Sequence, residues 1–281
     1  MFHSHAPVLV PTVITSVSDQ FYKISSEALL VLECLVKVIR PIEAVGAAAG
    51  QQEEKEDPNF RSYVQPVGTK YAFMCNENGF KRVLSQIYDC CFTRLSATDM
   101  DQEVKERAIS TMGSILAHLG DCLGAQLPAC LPIMLDRLNN EITRLTAVRA
   151  ITRIAQSPLK IPLVAILQGT LNTLASFLRK NNRALKLATL ILLDTLLRNY
   201  HKDLAGGALL QPVLAELPPL LGEADLHVAQ LAMNLLASVA RLQPASLSVV
   251  AATSLPEILL LARSPLLQVR PRRRNKKKTF L

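Results

Sequence analysis

The chain has 281 residues, 49% of them hydrophobic but only 5% aromatic and none Trp, so Leu, Ala and Val carry the apolar content. That composition suits helix-on-helix packing rather than sheets, with room for one large domain or two ordinary ones. Net charge is +8, but Arg270 to Lys278 hold seven cations and no acid, which leaves +1 on Met1 to Val269 and argues against a body built to grip nucleic acid.

Taken in chain order, the first candidate hairpin occupies residues 1–41, where SEALLVLECLVKVI around Ala28 has a helical stripe and Pro41 ends it. Residues 42–79 run through EAVGAAAGQQEEKEDPNF and TKYAFMCNENG, acidic and turn-rich material that reads as an insertion without regular structure. From residue 80 to 268 the pattern resumes as pairs of amphipathic helices. First helices carry Val83, Leu84, Ile87, Cys91 and Leu95; then Leu127, Leu131, Met134 and Leu138; then Val213, Leu214, Leu217 and Leu221. Second helices carry Val104, Ala108, Met112, Ile115 and Leu119; then Ile142, Leu145, Val148, Ile151 and Ala155; then Leu185 to Leu197, apolar nearly all round; then Val228, Leu231, Leu235, Val239 and Leu242.

Ala108, Ala147, Ala188 and Ala232 align these second helices at steps of 39, 41 and 44 residues, and Ala28 lies 80 upstream of Ala108. Two helices per forty-odd residues is the HEAT period. Asp99, Asn140, Asn182 and Asp225 stand where caps belong, and Pro158 and Pro244 follow helix ends as Pro41 does. The expected fold is all-α: a right-handed α-α superhelix, a HEAT/armadillo-like solenoid of about five hairpins with a truncated sixth, in one domain across 1–281. Ala108 and Ala147 should mark close approach between hairpins. Residues 269–281 form a basic tail.

No enzyme signature is present: no GxxxxGK[ST], GxGxxG after a strand, HExxH or GxSxG. His118, His201 and His227 are far apart in the repeat order, and Asp99 with Asp101 reads as capping. The six cysteines show no CxxC and fit a reduced helical core, so neither a metal nor another cofactor is expected. The longest clean apolar run, Leu187 to Leu193, is too short for a bilayer, and no secretory signal opens the chain. A soluble cytoplasmic or nuclear protein with no membrane partner is the expectation.

Function must then lie on a surface. Residues 140–200 hold nine cations against Glu141 and Asp194, +7, while the rest of the body carries −6. Cations this concentrated should repel one another unless an acidic partner covers them. The candidate partner-facing residues are Lys105, Arg144, Arg149, Arg153, Arg183 and Lys186. A second candidate is the tail, where Arg272, Arg273, Arg274, Lys276, Lys277 and Lys278 look like a nuclear-import signal; nucleic acid would bind only there.

Several strings resemble one family. DQEVKERAIS (101–110), NEITRLTAVRAI (140–151), SPLKI (157–161), ASFLRKNNRALKLATL (175–190), DLHVAQLA (225–232) and RSPLLQ (263–268) are similar to stretches of the cullin-associated, neddylation-dissociated proteins, also called TATA-binding-protein-interacting proteins. FYKISSEALLV (21–31) and LVKVIRP (35–41) match as well. The resemblance covers a middle portion of that family and departs at 42–89 and after Gln268. It implies a scaffold without catalysis that binds an un-neddylated cullin with its RING partner, and regulates assembly and substrate-receptor exchange of cullin–RING (SCF-type) ubiquitin ligases. TATA-binding protein is a further implied partner. The competing reading is a HEAT adaptor for transcription or transport factors, since fold alone does not settle function.

Overall fold

A computed structural model describes residues 5–41, 78–98, 101–204, 208–247 and 251–263. Among these all the regular structure is helical. The elements are α1 (Ala6–Val17), α2 (Tyr22–Ile39), α3 (Asn78–Ser96), α4 (Gln102–Leu119), α5 (Leu127–Asn139), α6 (Arg144–Gln156), α7 (Val164–Leu178) and α8 (Arg183–Asn199). They continue with α9 (Gln211–Ala215), α10 (Leu217–Leu221), α11 (Leu226–Leu242), α12 (Pro244–Leu247) and α13 (Ala251–Arg263). They pair as α1–α2, α3–α4, α5–α6, α7–α8 and α9/α10–α11, five hairpins followed by α12 and α13. The proposed insertion lies outside the described residues, apart from its last two positions, Asn78 and Gly79, which open α3.

The stripes go where their spacing sends them. Val104, Ala108, Met112, Ile115 and Leu119 of α4 are all buried, as are Val83, Leu84, Ile87, Cys91 and Leu95 of α3. One continuous core runs from Ala6 to Val239. Three expectations need correction. Ile142 is 56% exposed, because it lies in the turn before α6, and the buried stripe of that helix starts later. Leu185 to Leu197 is not covered all round: Ile191 of α8 is 43% exposed. The first helix of the fifth hairpin breaks at Glu216, where Pro218 and Pro219 offer no N–H to the carbonyls one turn back.

Caps start three of the second helices. Asp101 accepts from Glu103 N at 2.8 Å, Asn182 from Leu185 N at 3.0 Å, and Asp225 from His227 N at 3.0 Å and Val228 N at 3.4 Å. Asp99 lies outside the described residues. Asn140 shapes a turn instead, accepting from Ile142 N at 3.0 Å, and α6 begins after Thr143 with no side-chain cap.

Second helices pack most extensively on one another: α2 on α4, α4 on α6, α6 on α8 and α8 on α11. First helices touch less, so the stack is tightest along the second-helix side. Small residues permit this. Ala108 and Ala147 are fully buried, and a Cβ added to Gly113 of α4 would lie 2.8 Å from the Ala150 Cβ and 3.1 Å from its Cα.

Side chains also stitch the C-terminal ends of these helices together. His118 Nδ1 donates to the Arg40 carbonyl at 2.7 Å, and Ser157 Oγ to the Ala117 carbonyl at 2.5 Å. Asn199 Nδ2 donates to the Ala155 carbonyl at 2.6 Å, and Gln243 Nε2 to the His201 carbonyl at 2.8 Å. Each satisfies a carbonyl at or beyond the end of the preceding second helix, where no intrahelical N–H is left.

Midway along, Glu33 binds three helices at once. Its carboxylate meets Lys37 Nζ at 2.7 Å, Ser110 Oγ at 2.9 Å, Ser114 Oγ at 3.1 Å and Arg153 at 3.4 Å. Burial pushes the Glu33 carboxyl up, but Lys37, Ser110 and Arg153 outweigh it and hold the group below the usual carboxylate range.

Two predictions follow from the stack. Ala at Gly113 improves intrinsic helicity by about 1 kcal/mol, yet its Cβ meets backbone-rooted atoms that cannot swing away, an overpacking cost of about 1–3 kcal/mol. Gly113→Ala should therefore melt at a lower temperature than the wild type, whereas Gly124→Ala, facing open space, should not. For Glu33, a folded pKa below the unfolded one means stability present above the unfolded pKa and lost as pH falls through the folded one. Glu33→Gln should cost about 1–3 kcal/mol at neutral pH. Thermal melts against pH should show the gap to wild type closing below about pH 4.

Candidate functional site

The candidate cations come together only in part. Arg144, Arg149 and Arg153 sit on α6, Arg183 and Lys186 open α8, and Lys105 lies half-buried on α4, one hairpin earlier. Their side chains go to different places.

Arg144 faces inward. Its side chain is 14% exposed, pairs with Glu141 at 2.9 Å and covers the Phe177 ring of α7 at 5.5 Å from the centroid. Arg153 belongs to the Glu33 cluster, its NH1 donating to the Ser110 carbonyl at 2.8 Å and Ser114 Oγ at 2.7 Å. Arg183 donates through Nε to Asp225, and Lys186, 14% exposed, pairs with Glu223. Arg179 lies 3.5 Å from Glu216. The expected mutual repulsion is thereby met from within: acids of the fifth hairpin neutralise Arg179, Arg183 and Lys186, and Glu33 of the first reaches Arg153. Charge separated along the sequence is interleaved in space. Arg149 differs, being exposed, with no carboxylate partner among the described residues.

Sequence reasoning placed Asp225 as a cap but passed over the acids as partners of these cations. Asp225 caps α11 and holds Arg183 with the same carboxyl group. Arg183 leads the causes that keep that carboxyl below the usual range, and the backbone N–H groups of Val228 and His227 add to it. At the other end of the molecule the two roles are divided: Asp101 caps α4, while Glu103 in its first turn meets Lys23 at 2.5 Å and Ser26 Oγ at 2.9 Å across hairpins. The signal was available: an acid at the start of one second helix and a base at the start of its neighbour.

Around Arg149 the surface is concave. A groove of about 570 Å³ between α6 and α8 is lined by Arg149, Thr152, Arg153 and Gln156 on one wall and by Arg183, Ala184, Leu187, Ala188 and Ile191 on the other. A second groove of about 370 Å³ shares Gln156 and Ile191 and continues to Leu231 and Asn234 of α11. The basic tail residues Arg272, Arg273, Arg274, Lys276, Lys277 and Lys278 lie outside the described residues. No group of three or more His, Cys, Asp or Glu among the described residues is placed to hold a metal, and no helix among them is long and apolar enough to cross a membrane.

Stacked helical hairpins with a shared second-helix face define an α-α superhelix of the HEAT/armadillo kind. An engineered protein superposes with a TM-score of 0.58 at 15% identity, covering 92% of each chain. A designed armadillo repeat protein gives 0.56 at 16% identity, over 91% of this chain and 93% of its own. Both likenesses concern fold alone. In sequence the chain is a relative of the cullin-associated NEDD8-dissociated proteins. It is 47% identical to number 1 of Drosophila melanogaster over 95% of this chain and 19% of that protein, and 46% identical to number 2 of Rattus norvegicus over 95% and 18%. The Arabidopsis thaliana number 1 protein is 38% identical over 95% and 20%. The family model "CAND1-like, TPR repeats" matches residues 1–112, across the 42–89 interval that the sequence reading set apart. The chain thus spans about a fifth of the length of these curated relatives.

The double role of Asp225 can be separated. Asp225→Ala removes a helix cap together with a surface ion pair, and a cap usually contributes more than an exposed pair. Asp225→Asn keeps a good cap acceptor and loses only the pair. Chemical denaturation should rank the variants wild type, Asn, Ala, with the larger step between Asn and Ala.

Proposed function

We propose that this chain is a cullin-binding segment of a scaffold without catalytic activity, acting in the assembly of cullin–RING ubiquitin ligases and the exchange of their substrate receptors. The observation that carries the reading is 47% identity, across 95% of the chain, to a protein named for its association with cullins and its dissociation from NEDD8. The fold is consistent with it. A stack of hairpins offers a long continuous surface, and stability is spread over neighbouring interfaces rather than spent around a single pocket.

The test is size-exclusion chromatography of the purified chain with an un-neddylated cullin bound to its RING partner, and with the neddylated form. Co-elution with the first and not with the second is the expected result. Separate elution from both would overturn the assignment of cullin binding to this segment. TATA-binding protein, the further partner carried by the family resemblance, belongs in the same assay as an independent arm.

A further inference from the structure

The groove beside Arg149 has two features a merely solvated helical surface lacks. The first is a cation left over. Arg144, Arg153, Arg183, Lys186 and Arg198, the other cations of α6 and α8, each have a carboxylate partner: Glu141, Glu33, Asp225, Glu223 and Asp194. Arg149 has none among the described residues. Arg183 stands opposite it across the groove, its side chain 65% exposed, and only its Nε is committed to Asp225. A guanidinium has five N–H donors in a fork, so one such bond leaves donors for a second carboxylate.

The second feature is an aliphatic floor. Leu187 and Ala188 are half-buried and Ile191 is 43% exposed, in line along α8 below the two arginines. Leu187 and Ala188 lie among the partly buried residues against the core, so this floor is rigid. At its far end Gln156 and Asn234 present exposed amides. Cations above an apolar strip, with amides beyond, match a ligand that offers carboxylates beside an aliphatic side chain.

We propose that the α6–α8 groove docks an acidic peptide segment carrying an aliphatic anchor, its carboxylates meeting Arg149 and Arg183 and its anchor lying on Leu187 and Ile191. Charge complementarity selects the occupant: a basic peptide would meet two arginines, and a purely apolar one would bury Arg149 unpaired. The proposal goes beyond the cullin reading and does not depend on it, since any protein with such a segment would fit.

The probe is a fluorescein-labelled Gly-Ser peptide with two Glu flanking one Leu, titrated with the 281-residue chain and followed by anisotropy. Two control peptides replace both Glu with Gln, or Leu with Ser. Saturable binding is expected for the first peptide alone, weakening as salt rises through about 0.1 M, where screening shortens to about 10 Å. Arg149→Glu, at an exposed position, should weaken binding by about tenfold or more, and Ile191→Ser by about threefold, with circular dichroism unchanged. Equal affinity for the Gln peptide, no saturable binding, or an unaltered affinity in Arg149→Glu would each overturn the proposal. Co-elution with cullin is a separate measurement, so failure of either leaves the other standing.

Discussion

Each second helix of this solenoid passes a polar side chain back to the carbonyls at the end of the second helix before it, and the stack depends on that contact. Helix C-termini leave four carbonyls without intrahelical partners, and in a stack they are crowded by the next hairpin. Water cannot serve them all. His118, Ser157, Asn199 and Gln243 do so instead, at matching places in successive repeats. Because an unmade bond there costs about 1–3 kcal/mol, the contact fixes more than distance. It sets how far each second helix slides along its neighbour, and so the rotation from one hairpin to the next.

His118 shows what that position demands. It lies near the C-terminus of α4, where a helix favours a cation. Burial nevertheless pushes its imidazole below its usual range, and Lys37, Arg153 and Arg40 add to that, against the opposing pull of the Arg40 carbonyl. To donate to that carbonyl, the neutral ring must carry its proton on Nδ1. In the next hairpins Ser, Asn and Gln do the same work without a titratable group. The register is held by geometry; the residue type is free to vary as long as it donates.

That freedom explains what was legible in the sequence. Periodicity put Val104, Ala108, Met112, Ile115 and Leu119 on a buried face, because five apolar residues at helical spacing have few other uses. Asn182 and Asp225 were readable as caps because side-chain acceptors at helix starts are chemically restricted. The C-terminal stitches were not readable, since His, Ser, Asn and Gln at equivalent positions make no motif. Nor was the close approach of Gly113 to Ala150, because the repeat alignment marks Ala108 and Ala147 and only contact geometry reveals the glycine. The internal partners of the candidate cations were not readable either, because ion pairs spanning 37 to 120 positions cannot be seen from local charge counts.

The neutralised belt and the leftover arginine are two consequences of one constraint. Packing second helices closely places the start of each against the start of the next, so a base there does best with an acid on its neighbour. Lys23 has Glu103, Arg183 has Asp225, and Lys186 has Glu223. These pairs straddle hairpin junctions and so add electrostatic register to the stitches at the opposite end of the helices. Arg149 sits in the middle of α6, beyond reach of either end, on a face left exposed among the described residues. A cation there contributes nothing to stacking that an uncharged residue of equal length would not. Its place beside the exposed Ile191 leaves it free to meet the acidic segment proposed for the groove.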